Sequence, residues 1–150
     1  MSDRIEKSIE LKAPVSRVWR ALTDYREFGT WFGVTLEGPF APGKVAGGRI
    51  NHPECGQLRF ECTVQKMVPE RLFSFTWHPY AKDPKYDYSK ELQTLVEFTL
   101  EKTATGTLLR VVESGFDKIP PGRRPEAFRM NDRGWSIQME NIAKHVGHGR

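Results

Sequence analysis

The stretch "RMNDRGWSIQMENIAKHV" (Arg129–Val146) decides how the rest of the chain must be arranged. Trp135, Met139, Ile142 and Val146 recur at intervals of three and four residues, which makes them one apolar stripe on an otherwise polar helix. The helix is predicted to run from about Arg124 to Val146 and to bury that stripe. Gly134 sits oddly directly before the largest side chain, because glycine inside a helix costs ~1 kcal/mol relative to alanine. A close approach of the helix backbone to a sheet, or a slight bend beside Trp135, is the expected compensation.

Upstream, the chain supplies the surface that such a helix must cover. "RLFSFTWH" (Arg71–His78) alternates most clearly, with Phe73, Phe75 and Trp77 on one face and Ser74, Thr76 and His78 on the other. "LRFECTVQKMV" before it turns Leu58, Phe60, Cys62 and Val64 inward, and Pro69-Glu70 makes the tight connection between the two. "LQTLVEFTLEK" faces Val96, Phe98 and Leu100 inward, and "TLLRVVESGF" follows after a turn at "ATG". "KVAGGRI" is expected to be a weak strand broken by glycines, with "NHPECGQ" as its turn. The thirteen residues "PYAKDPKYDYSKE", polar with Pro and Tyr among them, have no apolar period, and a loop of that length inside a domain tends to be either a functional rim or mobile.

The N-terminal quarter is different. "RIEKSIELK" alternates as a strand beginning by about Arg4, then "APVSRVWRALTD" changes to helical period with Pro14 suited to the first helical position and Val15, Val18, Trp19 and Leu22 on one stripe. Asp24 is placed to cap a short second helix, "YREF", that Gly29 would end, after which Trp31 and Phe32 begin an extended stretch. The predicted order is β-α-α-β-β-β-β-β-β-α, an α+β layout in one domain spanning residues 1–150. Two short helices cannot cover a meander of six strands, so the long final helix has to.

The segments "IELKAPVSRVWRALTD", "CTVQKMVPERLFSFTWH", "LVEFTLEKTATGTLLRVVESGF" and "RGWSIQMENIAKHV", in this order and spacing, resemble the START/Bet v 1-like (SRPBCC) superfamily. Within it they are similar to bacterial proteins related to the C-terminal domain of the activator of Hsp90 ATPase. The resemblance implies a helix-grip fold, a curved antiparallel sheet wrapped around the last helix, with a cavity between them that in many relatives takes hydrophobic small molecules. The Hsp90 activators act partly through a separate N-terminal domain, for which a first strand at Arg4 leaves no room, so a chaperone partner is not the favoured expectation.

Composition narrows the classes further. Lys and Arg outnumber Asp and Glu by 23 to 19, but they are scattered among acids instead of forming a basic stripe, so nucleic-acid binding is not expected. No run of about 18 apolar residues and no signal-peptide core is present, so the expected setting is cytoplasmic, without membrane insertion. Two cysteines, Cys55 and Cys62, are expected as free thiols. His52 and Cys55 in "HPEC" resemble two metal ligands, but zinc requires a second pair that the sequence lacks, so no metal and no cofactor is expected. His145 and His148 are expected in a frayed, solvated tail. Serine-nucleophile elbows, phosphate loops and dinucleotide fingerprints are all missing.

What remains is the inner face. Trp31, entering from the second strand, with Phe60, Phe75, Trp77, Phe98, Trp135 and Met139 forms an aromatic set suited either to a filled core or to an apolar ligand pocket. Glu113 shares one face with Leu109 and Val111, while Leu108, Val112, Ser114 and Phe116 share the other; spacing leaves open which face is inner. If the first is, a carboxylate points at the cavity, as a hydrogen-bond anchor or as a general acid or base. Asn131 and Gln138 lie at the edge of the helix stripe, within reach of a pocket or of solvent, and His78 stands near the mouth. The expected function is binding of a small hydrophobic, lipid-, sterol- or polyketide-like molecule. The rival expectations are cyclase- or dehydratase-like acid–base chemistry led by Glu113, and an interaction module that docks on a chaperone or on a second copy as a homodimer.

Overall fold

The first strand, β1 (Arg4–Leu11), buries Ile5 and Leu11 and leaves Glu6, Ser8 and Glu10 to solvent, as its alternation dictates. The computed structural model describes residues 3–51, 59–81 and 85–148. Two helices follow, α1 (Val15–Thr23) and α2 (Tyr25–Phe32), with Pro14 standing just ahead of α1 as its N-cap residue instead of inside its first turn. Asp24 caps α2 as expected, accepting from the backbone N–H groups of Arg26 at 2.9 Å and Glu27 at 3.3 Å.

The second helix runs four residues further than its glycine suggested. It ends at Gly33, whose φ of 94° is the left-handed conformation that stops a helix at little cost. Gly29 lies inside the helix for a different reason: a Cβ there would stand 2.4 Å from the Val34 carbonyl oxygen, so the site admits only hydrogen. Trp31 and Phe32 are therefore helical residues and not the start of a strand.

The remaining strands are β2 (Val34–Leu36), β3 (Val45–Ile50), β4 (Arg59–Val68), β5 (Leu72–Trp77), β6 (Thr94–Lys102) and β7 (Thr107–Ser114), and the chain closes with α3 (Arg124–His148). All strand pairs are antiparallel, in the order β1-β7-β6-β5-β4-β3-β2, so the first strand joins the end of the meander begun by the second. The glycines of β3 do not break it. Gly48 lets β2 lie close, since a Cβ there would stand 2.2 Å from the Thr35 carbonyl oxygen. The expected turn at 51–57 lies, apart from Asn51, outside the described residues.

A bulge bends the sheet between Val64, opposite Phe75, and Lys66, opposite Ser74. The extra residue, Gln65, shifts the inward phase, so Phe60, Cys62 and Val64 face the core before it and the half-buried Met67 stands opposite Phe73 after it. Gly115, at φ 100°, resets the phase at the other end, which is how Phe116 joins the core although it shares the outward period of β7. The stripe Trp135, Met139, Ile142 and Val146 lies on the concave face of the sheet and is buried throughout. Lys7, on the inner phase of β1, pairs with Asp132 of α3 at 3.1 Å and ties the helix to the sheet's far edge. The result is a helix-grip α+β fold.

Candidate functional site

The inner face of β7 is the one that carries Leu109, Val111 and Glu113, and Glu113 is fully buried. Burial of an unpartnered polar group costs ~1–3 kcal/mol and of an unpaired charge more, so its partners decide whether the fold can tolerate it. Four side chains meet it. Oε1 accepts from Trp135 Nε1 at 2.8 Å and from Asn131 Nδ2 at 2.9 Å; Oε2 accepts from Thr94 Oγ1 at 2.6 Å and from Trp77 Nε1 at 2.7 Å. A carboxylate presents only acceptors and an indole N–H only donates, so both oxygens are matched by groups of the right sense. Among the described residues no Lys, Arg or His pairs with it.

The four donors come from three elements. Trp77 ends β5, Thr94 begins β6, and Asn131 and Trp135 lie one helical turn apart on α3, so that they share a face. The same face carries Gln138, whose amide donates to the Phe32 carbonyl oxygen at 2.9 Å and accepts from Asn141 at 3.1 Å. That bond satisfies one of the unpaired carbonyls at the end of α2 and holds it against α3.

Between these groups is a pocket of about 90 Å³ lined by Phe32, Trp77, Asn131, Gly134, Trp135 and Gln138. Three of its walls, Trp77, Asn131 and Trp135, are also donors to Glu113, so the buried carboxylate stands behind these walls and does not itself line the pocket. Gly134 has open space where its Cβ would be. The expected close approach to the sheet is thus absent, and the missing side chain instead leaves room in the pocket wall.

The aromatic set divides accordingly. Trp77 and Trp135 are walls, with ring centroids 5.8 Å apart. Phe60 and Phe75 lie one layer deeper, 5.8 and 5.4 Å from Trp77, and Phe98 packs edge-on against Trp135 at 5.6 Å. Met139 is buried along the helix stripe. Trp31 comes from α2, and its indole donates to the Ala21 carbonyl oxygen at 2.8 Å, outside the walls of this pocket. His78 sits past the end of β5, with Nε2 3.1 Å from the Glu91 carbonyl oxygen. Two participants escaped the sequence reading. Phe32 was hidden by the misplaced helix end, and Thr94 was overlooked although it shares the inward period of Val96, Phe98 and Leu100.

Away from the pocket, the expectation for His145 is corrected. Its Nε2 lies 2.9 Å from Glu27, which also binds Arg17 at 2.6 Å and Arg20 at 2.8 Å, so the end of α3 is tied to α1 and α2 instead of frayed. Burial pushes the Glu27 carboxyl up, but the bonds from His145 and Arg17, the Arg17 charge and the Arg20 bond together hold it below the ordinary value. Cys62 is a free, buried thiol that burial pushes up to about 12, which makes it inert at neutral pH. His52 and Cys55 lie outside the described residues. Among the described residues no helix is long and apolar enough to cross a membrane.

A curved antiparallel sheet, a long covering helix and a pocket between them define a domain of the START/Bet v 1-like class. Residues 12–147 match the family described as activator of Hsp90 ATPase homolog 1-like protein, and the chain belongs to that family. Protein MLL2253 from Mesorhizobium loti is 26% identical with a TM-score of 0.77, each chain covered over 98% of its length. DynU16, a putative protein in the dynemicin biosynthetic locus, is 24% identical with a TM-score of 0.75; all of this chain is covered and 49% of that one. The Aha1 dimer from Colwellia psychrerythraea is 17% identical with a TM-score of 0.75, with 100% and 99% of the two chains covered. No curated protein is similar enough to match.

Proposed function

We propose that this protein binds a small, largely apolar molecule in the pocket between the sheet and α3. The observation that carries the proposal is the shared wall: Trp77, Asn131 and Trp135 line the pocket and at the same time anchor the buried Glu113. Such an arrangement fixes the wall side chains in advance, which lowers the ordering cost of binding. A drug-sized ligand occupies ~300–1,000 Å³, so a pocket of about 90 Å³ takes one head or ring while the remainder stays at the mouth or displaces the half-buried Phe32.

The carboxylate acts here as a structural acceptor. Both oxygens are already matched by donors fixed in β5, β6 and α3, which favours a binder over a cyclase that would need Glu113 free to exchange a proton with substrate. Partnership with a chaperone or with a second copy of the chain is a separate reading, motivated by the family and by the relative that is a dimer; light scattering and an Hsp90 pull-down report on it.

The test is a fluorescence titration with neutral ring compounds, fatty acids and sterols, since Trp77 and Trp135 report directly on the pocket. Saturable quenching that is lost in Gly134→Leu, whose side chain would grow into the open wall, supports the proposal. A flat response across the panel would sink it.

A further inference from the structure

We infer that the head group this pocket selects is a small organic cation of the alkylammonium class; the inference rests on the binding role proposed above and assigns it a ligand chemistry. Three aromatic rings meet at the pocket: Trp77 and Trp135 have centroids 5.8 Å apart, Phe32 and Trp135 6.1 Å, Phe32 and Trp77 6.2 Å. A point about 3 Å off the plane of these centroids is about 4.6 Å from each, inside the ~6 Å at which a cation over a ring face feels its quadrupole. One head group can therefore touch all three.

Charge makes the choice of head group. Both indole N–H groups, the positive edges of the two tryptophans, point at Glu113, so what the indoles have left for a ligand is their electron-rich π-surface. Asn131 gives its amide N–H to the same carboxylate, which leaves its carbonyl oxygen, another acceptor. Behind these groups lies a carboxylate with only neutral donors around it among the described residues, and no Lys or Arg lines the pocket. An anionic head such as a fatty-acid carboxylate would meet π-surfaces and an amide oxygen in place of cations, since no Lys or Arg lines the pocket and both indole N–H groups are already given to Glu113. A neutral head gains apolar contact alone. A methylated ammonium gains contact and the three quadrupoles, and it needs no hydrogen-bond acceptor of its own.

The deciding experiment is a calorimetric and fluorescence comparison of choline, its neutral isostere 3,3-dimethylbutanol and the anion 3,3-dimethylbutyrate, with benzyltrimethylammonium as a larger cation. Choline is expected to bind roughly 5- to 30-fold more tightly than the alcohol, the range that cation–π contacts span, and the anion not at all. Phe32→Leu, which removes one ring and no hydrogen-bonding side-chain group, is expected to weaken choline roughly 3- to 10-fold while changing the alcohol less than twofold. Circular dichroism confirms that the variant is folded, and Gly134→Leu should block every probe. Equal or tighter binding of the alcohol or the anion overturns the inference, as does binding of ring compounds with no binding of either cation. A choline preference that survives both variants also overturns it, because the cation is then held elsewhere. If nothing binds, ring compounds included, the binding role itself fails and the inference with it.

Discussion

Trp135 of α3 donates its indole N–H to Glu113 of β7 across 2.8 Å, and this bond joins the helix to the sheet behind the wall of the pocket. Fold and site are therefore the same construction at this point. The stripe that holds α3 in the grip of the sheet also supplies one of the four donors that make a buried carboxylate tolerable, Trp135, and the pocket is the space left beside it.

Glu113→Gln preserves shape and removes the match. If the amide nitrogen replaces Oε1 it faces the Trp135 N–H, and if it replaces Oε2 it faces the Trp77 N–H, so either orientation sets donor against donor. The expected loss is about 1–3 kcal/mol of stability. Urea denaturation with an unchanged m-value checks it, and a variant as stable as the parent would show that the network has slack.

Gly134→Ala should act in the opposite direction. Its Cβ would meet nothing within 4 Å, so the helix gains propensity without a clash, and stability should rise by about 0.5–1 kcal/mol. Thermal melting measures the gain. Because the methyl group grows into the pocket wall, affinity for a large head group should fall at the same time.

Most of the fold was legible because period and punctuation agree. The alternations at Phe73–Trp77 and Val96–Leu100 and the stripe from Trp135 to Val146 fix which faces are buried, and the element order follows. The end of α2 was misplaced because Gly29 is a close-approach glycine and Gly33 is the left-handed one, a distinction that depends on where Val34 lies in space. The face of β7 was left open by spacing, since each of its periods carries one charged residue, Glu113 beside Leu109 and Val111 and Arg110 beside Leu108 and Val112. The donors that settle it come from β5, β6 and α3, which no local pattern connects.

Gly29→Ala tests that distinction. With a Cβ 2.4 Å from the Val34 carbonyl oxygen, backbone has to move, and overpacking of this kind costs about 1–3 kcal/mol. The same substitution at Gly134 is expected to stabilise, so the pair of variants should differ in sign by urea denaturation. Two helical glycines replaced by the same residue then report opposite local geometries.

The last expectation concerns the long loop that follows Trp77. Arg123, just ahead of α3, holds Glu91 through bonds of 2.8 and 3.1 Å, donates to the Pro79 and Tyr80 carbonyl oxygens at 2.7 and 3.1 Å, and lies 4.8 Å over the Tyr88 ring. One guanidinium thus ties both ends of the loop to the start of the covering helix. Burial pushes the Glu91 carboxyl up, but the Arg123 and Tyr86 hydrogen bonds and the charges of Arg123 and His78 hold it below the ordinary value. A carboxyl depressed in the folded state contributes stability above its unfolded value and loses that contribution as pH falls through the folded value. Glu91→Gln should therefore destabilise at neutral pH by about 1–3 kcal/mol, between the worth of an exposed pair and that of a fully buried one, and the gap from the parent should close as pH drops below the ordinary carboxylate range. Urea denaturation at a series of pH values measures that gap. A variant as stable as the parent at neutral pH would mean that Arg123 holds the loop through the carbonyl oxygens and the Tyr88 ring alone.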